Sequence, residues 1–168
     1  MKQTLLVIDM QNDFIDGALG SKEAQSIVPY VREKIQACAA EGWEILYTRD
    51  THGEDYLQTP EGQKLPVPHC IKGTKGWEIA EGLYAEGSEC IDKPTFGWTG
   101  WAEKEFDRIT LVGLCTDICV VSNALLLKAQ FPNAQISVDA RGCAGVTPES
   151  HAAALTTMQM CQIDILNA

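Results

Sequence analysis

Short apolar runs rich in β-branched residues recur along this chain, and stretches of helical periodicity separate them. Leu5-Leu6-Val7-Ile8 reads as a fully buried strand closed by Asp9, and Glu44 to Thr48, Glu89 to Asp92, Ile109 to Val112, Gln135 to Val138 and Ile163 to Leu166 read as five more. Ile27, Val31, Ile35 and Cys38 repeat at helical spacing before Gly42 stops the run. Residues 118–130 and 148–161 predict two further helices, with shorter ones expected over Trp77 to Tyr84 and Trp98 to Phe106. Residues 51–75 hold three of the seven prolines and little periodicity, which predicts loop. Continuous apolar strands need cover on both faces, and strand–helix–strand alternation supplies it. The expectation is an α/β fold with a six-stranded parallel sheet and helices on both faces. No repeat, low-complexity tract or linker interrupts the pattern, so residues 1–168 are expected to form a single domain.

In such sheets ligands bind beyond the carboxyl ends of the strands, where the strand order reverses. Reading just past the strand ends gives Asp9 and Gln11, Asp50 and His52, Lys93, and then Cys115 to Cys119. Four successive strands thus deliver polar or reactive groups to one edge. Composition narrows what that edge can bind. The formal charge is −10, from 13 Lys+Arg against 23 Asp+Glu, and no basic cluster stands out. Nucleic acid and anionic membrane surfaces are therefore poor partners. The turn after the first strand lacks the glycines that a pyrophosphate requires, which argues against a dinucleotide module. No apolar run approaches a membrane span, and no export signal opens the chain. Seven cysteines without a CxxC pair then predict free thiols in a reducing cytoplasm.

Cys119 falls about two residues into the helix expected after the fourth strand, with Thr116 or Asp117 as its N-cap. A thiol in a first helical turn feels the positive end of the helix dipole, and free amides there can hold an oxyanion. Cys115 shares that turn, and position alone does not choose between the two. Cys38 and Cys161 lie on apolar helical faces and read as core. Asp9 can exchange a proton with a thiol, and Lys93 can stabilise a thiolate. Asp50 and His52, two apart in an extended segment, point the same way. With His69 they form a two-histidine, one-carboxylate set suited to zinc, iron or manganese, and Glu61 is available as a fourth ligand. That set alone also fits an iron oxygenase, but such an enzyme has no use for Asp9, Lys93 and Cys119 together.

These residues carry a resemblance. Val7 to Phe14, Thr48 to His52 followed by Pro68-His69-Cys70, Lys93-Pro94, and Gly113 to Val120 stand in the order and spacing of the isochorismatase-like cysteine hydrolases. The metal loop is similar to that of the nicotinamidase/pyrazinamidase branch. The resemblance covers nearly the whole chain. It implies a three-layer Rossmann-like fold, a catalytic triad of Asp9, Lys93 and Cys119, and a non-proline cis peptide at Leu114–Cys115. It implies an oxyanion hole from the backbone amides of Cys115 and Cys119. The implied ligand set is Asp50, His52 and His69, with Glu61 in some members, for one divalent transition metal, zinc ahead of iron or manganese. Phe14 and Gln11, with Trp98 and Trp101, are expected to border a ring pocket. The implied activity is metal-dependent hydrolysis of nicotinamide to nicotinate and ammonia through a thioester on Cys119. The alternative is a hydrolase of another small amide or ester on the same fold. A small-molecule amide substrate and a homo-oligomer are the partners the family implies. Thr95 to Trp101 departs from the Ser-Ala-Phe-like element common after the lysine, and Cys115 stands where a small residue is frequent.

Overall fold

The computed structural model describes residues 1–168. Six strands, β1 (Gln3–Ile8), β2 (Glu44–Asp50), β3 (Glu89–Lys93), β4 (Arg108–Leu114), β5 (Gln135–Ala144) and β6 (Asp164–Leu166), form one sheet in the order β3-β2-β1-β4-β5-β6. Every pairing is parallel. The helices are α1 (Asn12–Ile15), α2 (Lys22–Ala40), α3 (Pro60–Lys64), α4 (Val121–Gln130) and α5 (Pro148–Met160). No helix is long and apolar enough to cross a membrane.

The three layers follow from strand alternation. Leu5 and Val7 pack with Val31, Ile35 and Cys38 of α2 on one face, while Leu6 and Ile8 join Ala124 and Leu127 of α4 and Met158 of α5 on the other. All of these side chains are at most 5% exposed, and each large one contributes about 1.5–3 kcal/mol. Both long caps are written in the sequence. The Ser21 hydroxyl accepts the Ala24 amide at the start of α2. At the start of α5, Thr147 and Ser150 bond reciprocally and Pro148 takes the first turn.

The chain builds β1, β2 and β3 outward in one direction, then returns to place β4 on the other side of β1. The order reverses between β1 and β4, so their carboxyl ends flank a crevice. The approach of the two strands is close enough to require glycine. Gly113 has φ +129°, and a β-carbon there would lie 2.0 Å from the Ile8 carbonyl oxygen.

Local expectations differ from the structure in the loops. Trp77 to Tyr84 is not a helix. Only Lys75–Trp77 makes a 3₁₀ turn, and the Ala80 amide then bonds the Met10 carbonyl while Glu78 accepts the Asn12 amide. Pairing to the exit of β1 replaces helical bonding there. Trp98 to Phe106 likewise contains a single 3₁₀ turn at Trp101–Glu103. The expected loop over 51–75 holds α3, capped by Thr59 with Pro60 in its first turn. β5 continues six residues past Val138 through a register shift against β4. Cys161 is exposed beyond the end of α5 rather than core.

Candidate active site

Asp9 follows β1 directly and adopts φ +50°, a left-handed conformation that aspartate tolerates better than most residues. This turn sends its carboxylate inward. Oδ1 accepts the Thr48 hydroxyl at 2.8 Å, and Oδ2 accepts Lys93 Nζ at 2.7 Å. Lys93 closes β3, and its ammonium also reaches Cys119 Sγ at 3.4 Å and the Thr95 carbonyl at 3.3 Å. Asp9 and Lys93 are fully buried, and Cys119 is 4% exposed. Three strand ends thus place a carboxylate, an ammonium and a thiol in mutual contact.

Burial dominates the electrostatics. It pushes Asp9 above the ordinary carboxylate range, outweighing the nearby Lys93 charge. Burial and the Asp9 charge hold the Cys119 thiol well above its usual value, with Lys93 opposing. Lys93 is raised despite its own burial, because Asp9, Cys119 and Asp50 all favour the ammonium. A neutral thiol therefore sits beside a carboxylate whose affinity for protons is enhanced.

Cys119 does not sit in an ordinary first helical turn. Residues Thr116–Val120 form a wide π-type turn, and α4 begins only at Val121. Neither Thr116 nor Asp117 caps it. The Thr116 hydroxyl meets His151 Nδ1 at 2.7 Å, and the Asp117 carboxylate accepts the Val146 amide at 3.1 Å. The peptide Leu114–Cys115 is cis, as the resemblance implies. Cys115 is partly buried, and burial, followed by the Asp117 and Asp9 charges, pushes its thiol up to about 12.

Asp50, His52, Glu61 and His69 converge beside this group, with one ligand atom of each within 4.8 Å of the others. Asp50 Oδ2 is 3.0 Å from His52 Nε2 and 3.4 Å from His69 Nε2, and Glu61 Oε2 is 3.2 Å from His52 Nε2. The pieces are held in place separately. The His52 amide bonds the Cys70 carbonyl and the Lys72 amide bonds the His52 carbonyl, which zips the His69 segment alongside His52. Asp13 accepts the Cys70 amide from behind. Gly62 lets α3 press on the preceding turn, since a β-carbon there would meet the Tyr56 carbonyl at 1.9 Å. Glu61 is thereby brought over the histidines.

The donor set fits a divalent transition ion on three observations. His69 Nδ1 bonds the Val67 carbonyl at 2.8 Å, which leaves Nε2 as the nitrogen available to a metal. Asp50 Oδ2 faces the Nε2 atoms of both histidines, the mixed nitrogen and oxygen donors that a transition ion takes. Burial and the Asp50 charge raise Glu61, so the two carboxylates repel one another across a gap that a cation would neutralise.

Both clusters open into one cavity of about 350 Å³, lined by Phe14, Leu19, Leu65, Phe96, Ile118 and the two cysteines together with Asp50, Glu61 and His69. Phe14 stands with its ring 5.5 Å from that of His69. The other expected wall residues are elsewhere. Gln11 is fully buried behind Asp50, bonding both its amide and its carbonyl as well as the Trp77 carbonyl. It braces Asp50 rather than facing the cavity. Trp101 is 2% exposed in the core against Phe106, and Trp98 packs edge-on to Trp101. Phe96 takes the wall position instead. The sequence pattern did not single it out, although an aromatic three residues past the lysine is a usable signal.

The isochorismatase domain family matches residues 3–168. The chain is 26% identical over 191 residues to the nicotinamidase/pyrazinamidase of Mycobacterium tuberculosis, covering 98% of each protein. It is 30% identical over 174 residues to a probable inactive nicotinamidase of Arabidopsis thaliana, covering 92% of this chain and 87% of that protein. The crystal structure of Pyrococcus horikoshii pyrazinamidase in complex with zinc superposes with a TM-score of 0.87 at 27% identity, covering all of both chains.

Proposed function

Because this chain belongs to the isochorismatase family, we propose that it is a metal-dependent cysteine amidohydrolase that converts nicotinamide to nicotinate and ammonia. The observation that carries this reading is Lys93 Nζ, which touches both the Asp9 carboxylate and the Cys119 sulfur, while Cys119 lines a cavity that Asp50, Glu61 and His69 also border.

Asp9 takes the proton of Cys119, a role suited to a carboxylate whose affinity for protons burial increases. The thiolate, held beside the Lys93 ammonium, attacks the carboxamide carbon. The oxyanion rests on the backbone amides of Cys115 and Cys119. Asp9 returns the proton to the departing ammonia, leaving a thioester on Cys119. Water then cleaves the thioester, releasing the carboxylic acid and restoring the thiol. Asp50, His52, Glu61 and His69 would hold the ion, zinc ahead of iron or manganese. When bound, it supplies a coordination position for the ring nitrogen of the substrate. Phe14 and Phe96 provide the apolar walls for that ring.

The second reading, hydrolysis of another small amide or ester, is favoured by the wall itself. Phe96 belongs to the Thr95 to Trp101 segment that departs from the family pattern. Ammonia release from nicotinamide and from a panel of other carboxamides, before and after chelation, separates the two. Release from nicotinamide that chelation abolishes and zinc restores is expected. Turnover of other amides with none of nicotinamide selects the second reading, and full amidase activity in Cys119→Ala sinks the mechanism for both.

A further inference from the structure

Asn123 lies one helical turn beyond Cys119 and is fully buried. A carboxamide has two acceptor lone pairs and two N–H donors, and here all four are used. Oδ1 accepts the Trp98 amide at 2.8 Å and the Trp101 indole Nε1–H at 3.1 Å. Nδ2 donates to the Phe96 carbonyl at 3.1 Å and to the Cys119 carbonyl at 2.8 Å. The orientation of the amide is unambiguous, because two of the partners can only donate and two can only accept.

Three of the four partners belong to one segment, residues 96–101, and the fourth is the nucleophile candidate itself. Elsewhere the segment is held by side chains: the Lys93 ammonium reaches the Thr95 carbonyl, the Thr95 hydroxyl bonds the Gly97 carbonyl, and Trp98 and Trp101 pack into the core, so Asn123 supplies the bonds that reach the Phe96 backbone itself. Residues 94–99 make no backbone–backbone hydrogen bond and lie outside every helix and strand. Its one contribution to the cavity is Phe96, which is 44% exposed and so is not locked by its own packing. Gly97 presses the segment onto α4, where a β-carbon would come within 2.5 Å of Leu126.

We propose that Asn123 is a positioning residue that sets the ring selectivity of the cavity, by fixing the Phe96 backbone at a set distance from Cys119. The proposal rests on the amidohydrolase reading of the cavity and deepens it. Asn123 touches no substrate and acts through Phe96. The departing segment and this buried asparagine form one unit.

The test compares two alkylating agents on Cys119 in the intact protein: iodoacetamide, and its N-phenyl counterpart, which carries a ring. Peptide mass spectrometry follows the rate at Cys119 alone. The ratio of the two rates cancels any change in the thiol's own reactivity and reads the wall. Phe96→Ala is expected to lower the ratio about fivefold, the scale of one aromatic contact. Asn123→Thr is expected to lower it by a similar factor, and the double variant by no more than Phe96→Ala alone. An unchanged ratio in Asn123→Thr, or falls that multiply in the double variant, overturns the proposal. Should Asn123→Thr fail to fold by thermal melt, Trp101→Phe removes one donor and keeps the apolar ring. A fall of about twofold is then expected, and an unchanged ratio again overturns it. Ammonia release by the wild type is scored separately. Its absence sinks the amidohydrolase reading, while the ratio still decides whether Asn123 positions Phe96.

Discussion

Lys93 is the residue on which the site turns, because it joins a stability problem to a chemical one. A fully buried ammonium survives only among anions, and Asp9 at 2.7 Å with Asp50 at 3.8 Å supplies them. Lys93→Met leaves the Asp9 carboxylate buried and unpaired, and unfolding free energy is expected to fall by about 3–5 kcal/mol in denaturant titration. The double variant Asp9→Asn/Lys93→Met removes both charges and is expected to recover most of that loss. On the proposed mechanism it should remain inactive in ammonia release, because that mechanism takes Asp9 as the base and Lys93 as the thiolate's counter-charge. Recovery of activity along with stability would show that the pair only holds the fold. Each member was legible in the sequence as a polar residue ending an apolar strand. Their contact was not, since Asp9 and Lys93 are 84 positions apart.

The π-type turn and α5 form the next level. The helix expected to begin near Ile118 begins at Val121, and the turn before it is fastened from α5 by His151 and from the loop by Val146. Burial lowers the pKa of His151 below its usual value, against the opposing charge of Asp117. The neutral ring is therefore the folded form. A depressed histidine binds fewer protons folded than unfolded, so its share of stability is complete above about pH 6.5 and is lost as pH falls below that value. His151→Gln is expected to flatten the difference in melting temperature between pH 7.5 and pH 5.5 relative to the wild type. An identical pH dependence in the two proteins would remove His151 from the account. At this level the sequence misled in specific ways. Helical periodicity over Trp77 to Tyr84 lost to backbone pairing with Met10 and Asn12, and Trp98 and Trp101 went to the core around Asn123. Residue type said aromatic in each case, and only packing chose which ring faces the cavity.

Across the whole molecule, the far side of the sheet carries a second buried charge. Asp139 in β5 is fully buried, and it accepts the Tyr30 hydroxyl at 2.8 Å and the Lys34 ammonium at 3.1 Å from α2, and Asn167 Nδ2 at 3.1 Å from the C-terminal end. The three partners bring a helix and the chain's end onto one strand. Asp139→Ala strands them together, and a loss of about 3 kcal/mol in unfolding free energy is expected. Ammonia release per folded molecule should be unchanged, because the cluster does not line the cavity. A variant that keeps its stability but loses activity would give Asp139 a part in the reaction instead.

The six-stranded parallel architecture, the edge at which polar groups collect and the presence there of Asp9, Asp50, His52 and Lys93 were legible in the sequence alone, whereas the choice of Cys119 over Cys115 came only with the family resemblance. The reason is periodicity: a strand buried on both faces has to end in polar residues, and a parallel sheet aligns those ends. The tertiary structure decided what depends on contact between distant segments. It placed Glu61 over the two histidines, put Gln11 behind Asp50 rather than in the pocket, and gave the cavity wall to Phe96. Those outcomes rest on hydrogen bonds and packing between residues tens of positions apart, and no local pattern along the chain encodes a distance between them.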